Sequence, residues 1–372
     1  MKRFFLLAVA ALSSATLRAE TLYTPQIFGV VKVKMELSTN SGDYRFDVRN
    51  SRIGMKGNVS ERMNYAIQID YNNEGNVSIL DSWVGYHSNG FEFKLGQQQL
   101  RFSTDLDRGP SSSPFSNRSF LAKYLTSYYY TSASDGDLNN PSIKTMSSRD
   151  IGAHIAYTIP KTSIKLSGGI FNGSGSNNPE WSNSANVVGR IDVGKAEGFG
   201  GAVSCYIGVT PSDSYASFDS GSGEWVNVSE KQRIRMYDAY LRYTKGDLFL
   251  EAEYAQRRLR QDEFNLLQAY YIHGTYKFDI KNNPIFKYFS PHLRWDMGKN
   301  IEYYDYSNAA DPLFRYTSNR MTYSMNFGLS EKKIRSEMRL AFEDYFVKKK
   351  PGDIATNQLL QDKFTVEFVA AF

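Results

Sequence analysis

The chain has 372 residues, 15% of them aromatic, with 26 Tyr, 24 Phe and only 11 Pro, yet its mean hydropathy is negative. That mixture suits strands that are apolar on one side only. No stretch after residue 20 approaches the ~18 uninterrupted apolar residues that a membrane helix requires, which excludes a helical membrane protein. Cys205 is the only cysteine, so an intrachain disulfide is excluded too, and the fold alone must hold an exported chain together.

Residues 1–19 have the form of a secretory signal peptide. Lys2 and Arg3 form the charged start, Phe4 to Leu12 the apolar run, and Leu17-Arg18-Ala19 the expected cleavage site, with Ala15 as an alternative. Cleavage after Ala19 removes three basic residues and no acid, lowering the formal charge from +5 to +2. So small a charge predicts nothing about partners; no nucleic-acid partner is expected, and residues 20–372 are expected to form one membrane barrel.

Along that mature chain the dominant period is two. Met63, Tyr65, Ile67, Ile69 and Tyr71 alternate with Asn64, Ala66, Gln68, Asp70 and Asn72, so one face is apolar and the other wet. Sixteen segments follow this pattern: 26–38, 43–58, 62–72, 77–88, 91–100, 149–159, 162–172, 186–194, 198–209, 233–244, 247–257, 265–279, 285–297, 318–329, 333–346 and 360–372. Short links such as Asn89-Gly90 and Pro160-Lys161 take turns with long ones at 101–148, 173–185, 210–232, 298–317 and 347–359. Short periplasmic turns opposite longer outer loops, with an even strand number, describe a bacterial outer-membrane barrel. The rival fold is a soluble sandwich, but many segments run 10 to 13 residues, which suits a tilted bilayer crossing better than the usual ~5–6 of globular strands. The fold class expected is therefore an all-β, transmembrane antiparallel β-barrel of about 16 strands.

Aromatics near segment ends (Tyr44, Phe91, Tyr157, Tyr243, Tyr254 and Phe346) suit the two headgroup levels. In the last segment Phe364, Val366, Phe368, Ala370 and Phe372 share one face. A terminal strand ending in Phe resembles the signal read by the outer-membrane barrel assembly machinery, the partner expected at Phe372.

The run Arg49-Asn-Ser-Arg-Ile-Gly-Met-Lys-Gly57 is followed by Tyr65 to Tyr71 with Asp70, then by Leu80-Asp81, Lys94-Leu-Gly-Gln97, Phe102-Ser103 and Arg149-Asp-Ile-Gly152. In order and spacing this series resembles the phosphate-selective porin O and P family over roughly residues 45–157. The resemblance implies a sixteen-stranded, trimeric porin in the outer membrane of a Gram-negative bacterium, with a third loop folded into the lumen and an inner path of arginines and lysines. Lipid, lipopolysaccharide and small anions or other small solutes would be its further partners, and it would carry no cofactor or metal.

The 101–148 segment is long enough to need a role, and inside a barrel it would narrow the channel. Its first half carries Arg101, Arg108, Arg118 and Lys123 against Asp105 and Asp107, whereas Asp135 and Asp137 oppose Lys144 in its second half. Basic groups at a constriction favour anions because low-dielectric walls focus their field. On the wall, Lys32, Lys34 and Lys94 lie on the wet face, and a phase switch between Val48 and Ile53 implies a bulge that leaves Arg49 and Arg52 near the lumen. These nine residues are the expected pore-lining, anion-binding set. Later wall charges are mixed, as with Arg242 and Asp238, Arg294 and Asp296, or Arg335 and Arg339 beside Glu337 and Glu343. Acids interrupting the basic set leave a general or weakly anion-preferring pore as the expectation, short of phosphate specificity.

Two other classes compete. An outer-membrane hydrolase would need a His within reach of a Ser or an acid, yet His87, His154, His273 and His292 show no convergence in sequence. No metal-ligand spacing or nucleotide motif is present. A sealed adhesin would bind through its outer loops, but 173–185 and 210–232 are rich in Ser, Asn and Gly rather than sticky.

Overall fold

The computed structural model describes residues 23–73, 76–130, 142–145, 148–181, 184–210, 213–219, 221, 223–231, 233–259, 266–304, 313–331, 334–347 and 361–372. The expected signal peptide and much of the second half of the third loop, Asp135 and Asp137 included, lie outside the described residues.

Sixteen strands form the wall: β1 Gln26–Ser38, β2 Tyr44–Asn58, β3 Met63–Asn73, β4 Asn76–Ser88, β5 Phe91–Gln99, β6 Arg149–Thr158, β7 Ile164–Phe171 and β8 Asn186–Gly194 in the first half. The second half comprises β9 Gly198–Val209, β10 Arg233–Lys245, β11 Leu248–Leu259, β12 Leu266–Tyr276, β13 Tyr288–Tyr304, β14 Leu313–Glu331, β15 Arg335–Val347 and β16 Lys363–Ala371. Each strand pairs antiparallel with its chain neighbours, and β16 returns to β1 through Val30↔Ala371 to Ser38↔Lys363. Closure leaves no open sheet edge in the wall, which a barrel in lipid requires. Gly29 and Phe372 seal the seam by exchanging both backbone hydrogen bonds, at 2.9 and 3.1 Å.

The alternation is turned inside out relative to a soluble domain. On β1, Lys32, Lys34, Glu36 and Ser38 are buried while Val31 and Val33 are 40% exposed; on β11, Glu251, Glu253 and Arg257 are buried while Leu250 and Tyr254 are exposed. Exposed apolar groups face outward all round, and the buried polar face encloses the lumen, so the sandwich alternative does not hold. Tyr44, Phe91, Tyr157 and Phe346 are outward-facing rings at strand ends, whereas Tyr254 faces outward from the middle of β11.

Every segment read from periodicity corresponds to a wall strand, with differences in the long loops. Strand β13 continues to Tyr304 and β14 starts at Leu313, so both extend into the expected 298–317 loop. Two hairpins also stand where only loop was expected: Ser127–Tyr130 with Ser142–Thr145, and Asp213–Asp219 with Glu224–Glu230. Ser- and Gly-rich composition hid the pairing in the second, where Tyr215↔Val228 and Ser217↔Val226 carry the register. The expected bulge is present: Lys32 pairs with Asn50 and Val33 with Val48, leaving Arg49 as the extra residue.

The third loop begins with two short helices, α1 Thr104–Asp107 and α2 Phe120–Tyr124, capped by Ser103 and Ser119. Between residues 102 and 126 its groups bond to inward-facing residues of β1, β8, β9, β11, β13, β14 and β15. One segment can touch so many staves from their inner faces only by lying within the barrel. Phe102, Phe120, Leu121 and Leu125 form a small apolar core there with Tyr206, Met236 and Tyr271 of the wall.

Candidate functional site: the lumen and its third loop

The loop is anchored by charge. Glu253 of β11 accepts from the Ser103 hydroxyl (2.8 Å), from the Thr104 and Asp105 N–H groups (2.6 and 3.0 Å) and from the Tyr271 hydroxyl (2.9 Å), which places a carboxylate on the first turn of α1. Arg108 grips Glu251 through two hydrogen bonds, at 2.9 and 2.6 Å. On the far side Asn117 donates to Glu36 and Glu343, and Arg320 donates to the Arg118 carbonyl at 2.6 Å. Arg320 itself sits between Asp296 (2.7 Å) and Glu343 (2.8 Å), and Lys363 lies 3.7 Å from Glu343.

Two of the four histidines meet, contrary to the sequence expectation. His273 Nδ1 lies 3.0 Å from Glu251, its Nε2 lies 3.1 Å from His292 Nδ1, and His292 Nε2 lies 2.9 Å from Ser290 Oγ. With Glu251 ionised, each group donates toward it, from Ser290 through both rings. Phe115 of the loop packs edge-on against both rings at 4.8 and 5.8 Å. The convergence depends on the β12–β13 register, which pairs Thr275 with His292 and His273 with Arg294, and no local pattern in the sequence encodes it.

The nine expected basic residues separate into groups. Lys32 pairs with Glu367 (3.2 Å), Lys34 with Glu36 (2.7 Å) and Arg52 with Asp70 (2.7 Å). Arg108 and Arg118 tie down the loop, Arg118 by donating to the carbonyls of Asp105, Leu106 and Arg108. Lys123 is exposed, with its ammonium 4.9 Å from the Tyr124 ring. Arg49 occupies the bulge and acts electrostatically on Lys32 and Arg118. Lys94 and Arg101 line a cleft of ≈ 250 Å³ on the inner face of the β1–β8 wall, where Arg101 is the residue contributed by the start of the third loop.

That cleft also holds residues outside the expected pore-lining set: Lys56, Lys165, His154 and Trp83. Its three carboxylates are matched, Asp81 by Arg149 (3.1 Å), Glu92 by Lys165 (2.9 Å) and Asp192 by Arg190 (2.9 Å). Lys56, Lys94 and Arg101 have no carboxylate partner among the described residues, so the cleft carries uncompensated positive charge. Lys56 could have been found in the sequence by following the inner phase of β2 past the bulge, through Arg52 and Gly54.

Asp107, on the loop nearby, is pushed up to about 6 by burial, against the pull of Arg101, Arg190 and Arg149. Its Oδ1 is buried without a hydrogen-bond partner among the described residues. Burial likewise lowers Arg118, offset by Asp105 and reinforced by Arg49 and Arg149. Because Asp107 stands above its ordinary value of 3.8, its contribution to loop packing is fully present below about pH 4 and is lost as pH rises through about 6. The same proton neutralises a luminal carboxylate. We expect the chloride-over-potassium permeability ratio to rise as pH falls through 6, and Asp107→Asn to abolish that step in bilayer recordings.

Wall, lumen and inward loop define a class of fold, the closed transmembrane β-barrel of outer-membrane porins. In sequence the chain is similar to the phosphate-selective porin O and P family, whose model matches residues 31–207, from β1 into β9. Among solved structures it resembles a loop-deletion variant of OmpT, an outer-membrane protein of Vibrio cholerae, at TM-score 0.58 and 11% identity, covering 94% of this chain and 100% of that one. It also resembles the anion-selective porin from Comamonas acidovorans (0.55, 12%, 94% and 99%) and OprB of Pseudomonas putida (0.59, 13%, 94% and 93%). No curated protein matches the chain in sequence.

Proposed function

We propose that the protein is a passive diffusion pore for small hydrophilic solutes with a preference for anions, set where the third loop faces β2–β8. The observation that carries this reading is the cleft in which Lys56, Lys94 and Arg101 lack carboxylate partners among the described residues while every acid is paired. A mobile anion there meets a net positive field in a low-dielectric passage. Lys32, Lys34 and Arg52, each held by an acid, contribute less, and the loop 101–148 serves as the constriction. The anion selectivity stated for the Comamonas acidovorans porin agrees with this reading.

A homotrimer is part of the proposal, in keeping with the family resemblance and with a structural relative described as a trimer, OmpT of Vibrio cholerae. So are an outer surface in lipid and lipopolysaccharide, insertion through the assembly machinery by way of Phe372, and cleavage of residues 1–19. We read the Ser290–His292–His273–Glu251 chain as loop anchoring rather than catalysis, because it ends on Arg108 and is packed beneath Phe115.

A tenfold potassium chloride gradient across a planar bilayer tests the reading. The reversal potential is expected to take the sign of chloride permeation, whereas a cation-selective potential or a sealed barrel would refute it.

A further inference from the structure

We propose that the luminal cleft is a binding subsite for organic anions that carry an apolar ring, aromatic carboxylates being the class it fits. This rests on the anion-pore reading above and adds a substrate class to it.

The two lysines without acid partners are not bare: each stands over an aromatic ring. Lys94 Nζ lies 4.3 Å from the Trp83 ring centre, and Lys56 Nζ lies 5.6 Å from that of Phe28. A π face holds an ammonium in place through its quadrupole without neutralising it. The charge therefore remains available to a ligand, unlike that of Lys32 or Lys34, which is spent on a carboxylate. The cleft thus pairs positive charge with apolar surface at two adjacent points. An inorganic ion can use only the charge; an aromatic carboxylate can use both.

The wall makes room for such a body. Across the strands Lys56 pairs with Ala66, Ala66 with Trp83, Trp83 with Gly96 and Gly96 with Gly152, so the indole is flanked by small residues, Ala66 on one side and Gly96 and Gly152 on the other, before the rung reaches Phe171. The glycine at 96 is required by its backbone: φ is +130°, and a Cβ would come within 2.3 Å of the Ser82 carbonyl oxygen. Beside Lys94, to which it is paired across β5 and β6, His154 is only 5% exposed and its Nε2 has no hydrogen-bond partner among the described residues. An unsatisfied buried nitrogen lining the cleft, together with the Gln98 and Gln99 side chains, marks a site built for a polar guest.

The test uses the intact barrel in planar bilayers. Chloride current is titrated with sodium benzoate, sodium acetate and inorganic phosphate, for the native chain and for Trp83→Ala, Trp83→Phe and Lys94→Ala. Benzoate is expected to reduce the current at a concentration about tenfold below that needed for acetate. Trp83→Ala should raise the benzoate value about five- to tenfold and leave acetate and phosphate within about twofold, as the strength of ring contacts implies. Trp83→Phe should restore most of the difference, and Lys94→Ala should weaken all three anions. Benzoate no tighter than acetate or phosphate in the native barrel would overturn the subsite, as would a Trp83→Ala effect equal for all three. If chloride remains preferred over potassium in that case, only the subsite falls; a cation-selective native barrel would remove the anion-pore reading with it.

Discussion

Replacing Lys94 and Arg101 together by glutamate should reverse the ion selectivity of the pore. Both side chains line the cleft, and neither forms an ion pair within 4 Å among the described residues, so the substitution breaks no salt bridge of the wall. Each substitution turns one positive charge into one negative. The pair shifts the local charge by four units at a point where Asp81, Glu92 and Asp192 are already present. Lys56 alone then remains uncompensated by an acid. At an effective dielectric of about 20, a unit charge 4 Å from a permeating ion is worth about 4 kcal/mol before ionic screening, and counter-ions in a wet lumen reduce this severalfold. Even about 1 kcal/mol per site is a factor of about five in relative permeability. The reversal potential in a salt gradient should therefore change sign, while unitary conductance in molar salt, where the screening length is only about 3 Å, should change little. The same double substitution at Lys32 and Lys34, whose partners Glu367 and Glu36 are part of the wall, should instead impair assembly, because it sets acid against acid. Selectivity that stays anionic in the Lys94, Arg101 variant would show that the cleft does not set it.

The architecture was largely readable because a barrel in lipid writes its pattern locally. Met63 to Tyr71 alternates for the same reason that β3 has one face toward lipid and one toward water, and the β2 phase switch foretold the bulge at Arg49. What stayed hidden depends on partners distant in sequence. Lys32, Lys34 and Lys94 look alike on the wet faces of their strands. Only the closed barrel brings Glu367 to Lys32, while Lys94 comes over Trp83 through the register of the β4–β5 hairpin. The histidine chain is hidden for the same reason, since Glu251, His273 and His292 come from three strands whose register sequence does not specify. Arg108 and Arg118 belong to the third loop, and their charge holds that loop to Glu251 and to its own carbonyls. Charge counting cannot separate a basic group that meets solute from one that meets protein; the distances can.

Arg320 presents the opposite situation to Lys94, and Arg320→Ala is expected to cost the barrel about 3 kcal/mol. The guanidinium is 3% exposed and bonds Asp296, Glu343, the Tyr345 hydroxyl and the Arg118 carbonyl, joining β13, β14 and β15 to the loop. Removing one member of a buried ionic cluster typically costs ~3–5 kcal/mol, since the charges left behind remain out of water. The lower end applies here because Arg294 still reaches Asp296 at 3.1 Å and Lys363 still reaches Glu343 at 3.7 Å, so neither acid is wholly abandoned. Losing the bond to Arg118 also frees the loop near α2, which should raise current noise without altering the sign of the selectivity. The temperature at which the folded, faster-migrating band disappears in a detergent gel should fall by several degrees. Arg320→Lys should recover only part of the loss, because an ammonium cannot span both acids and the carbonyl with the fork of a guanidinium. An unchanged transition for Arg320→Ala would mean that water enters the cluster and satisfies the acids, and the strength ascribed to this side of the lumen would have to be given up.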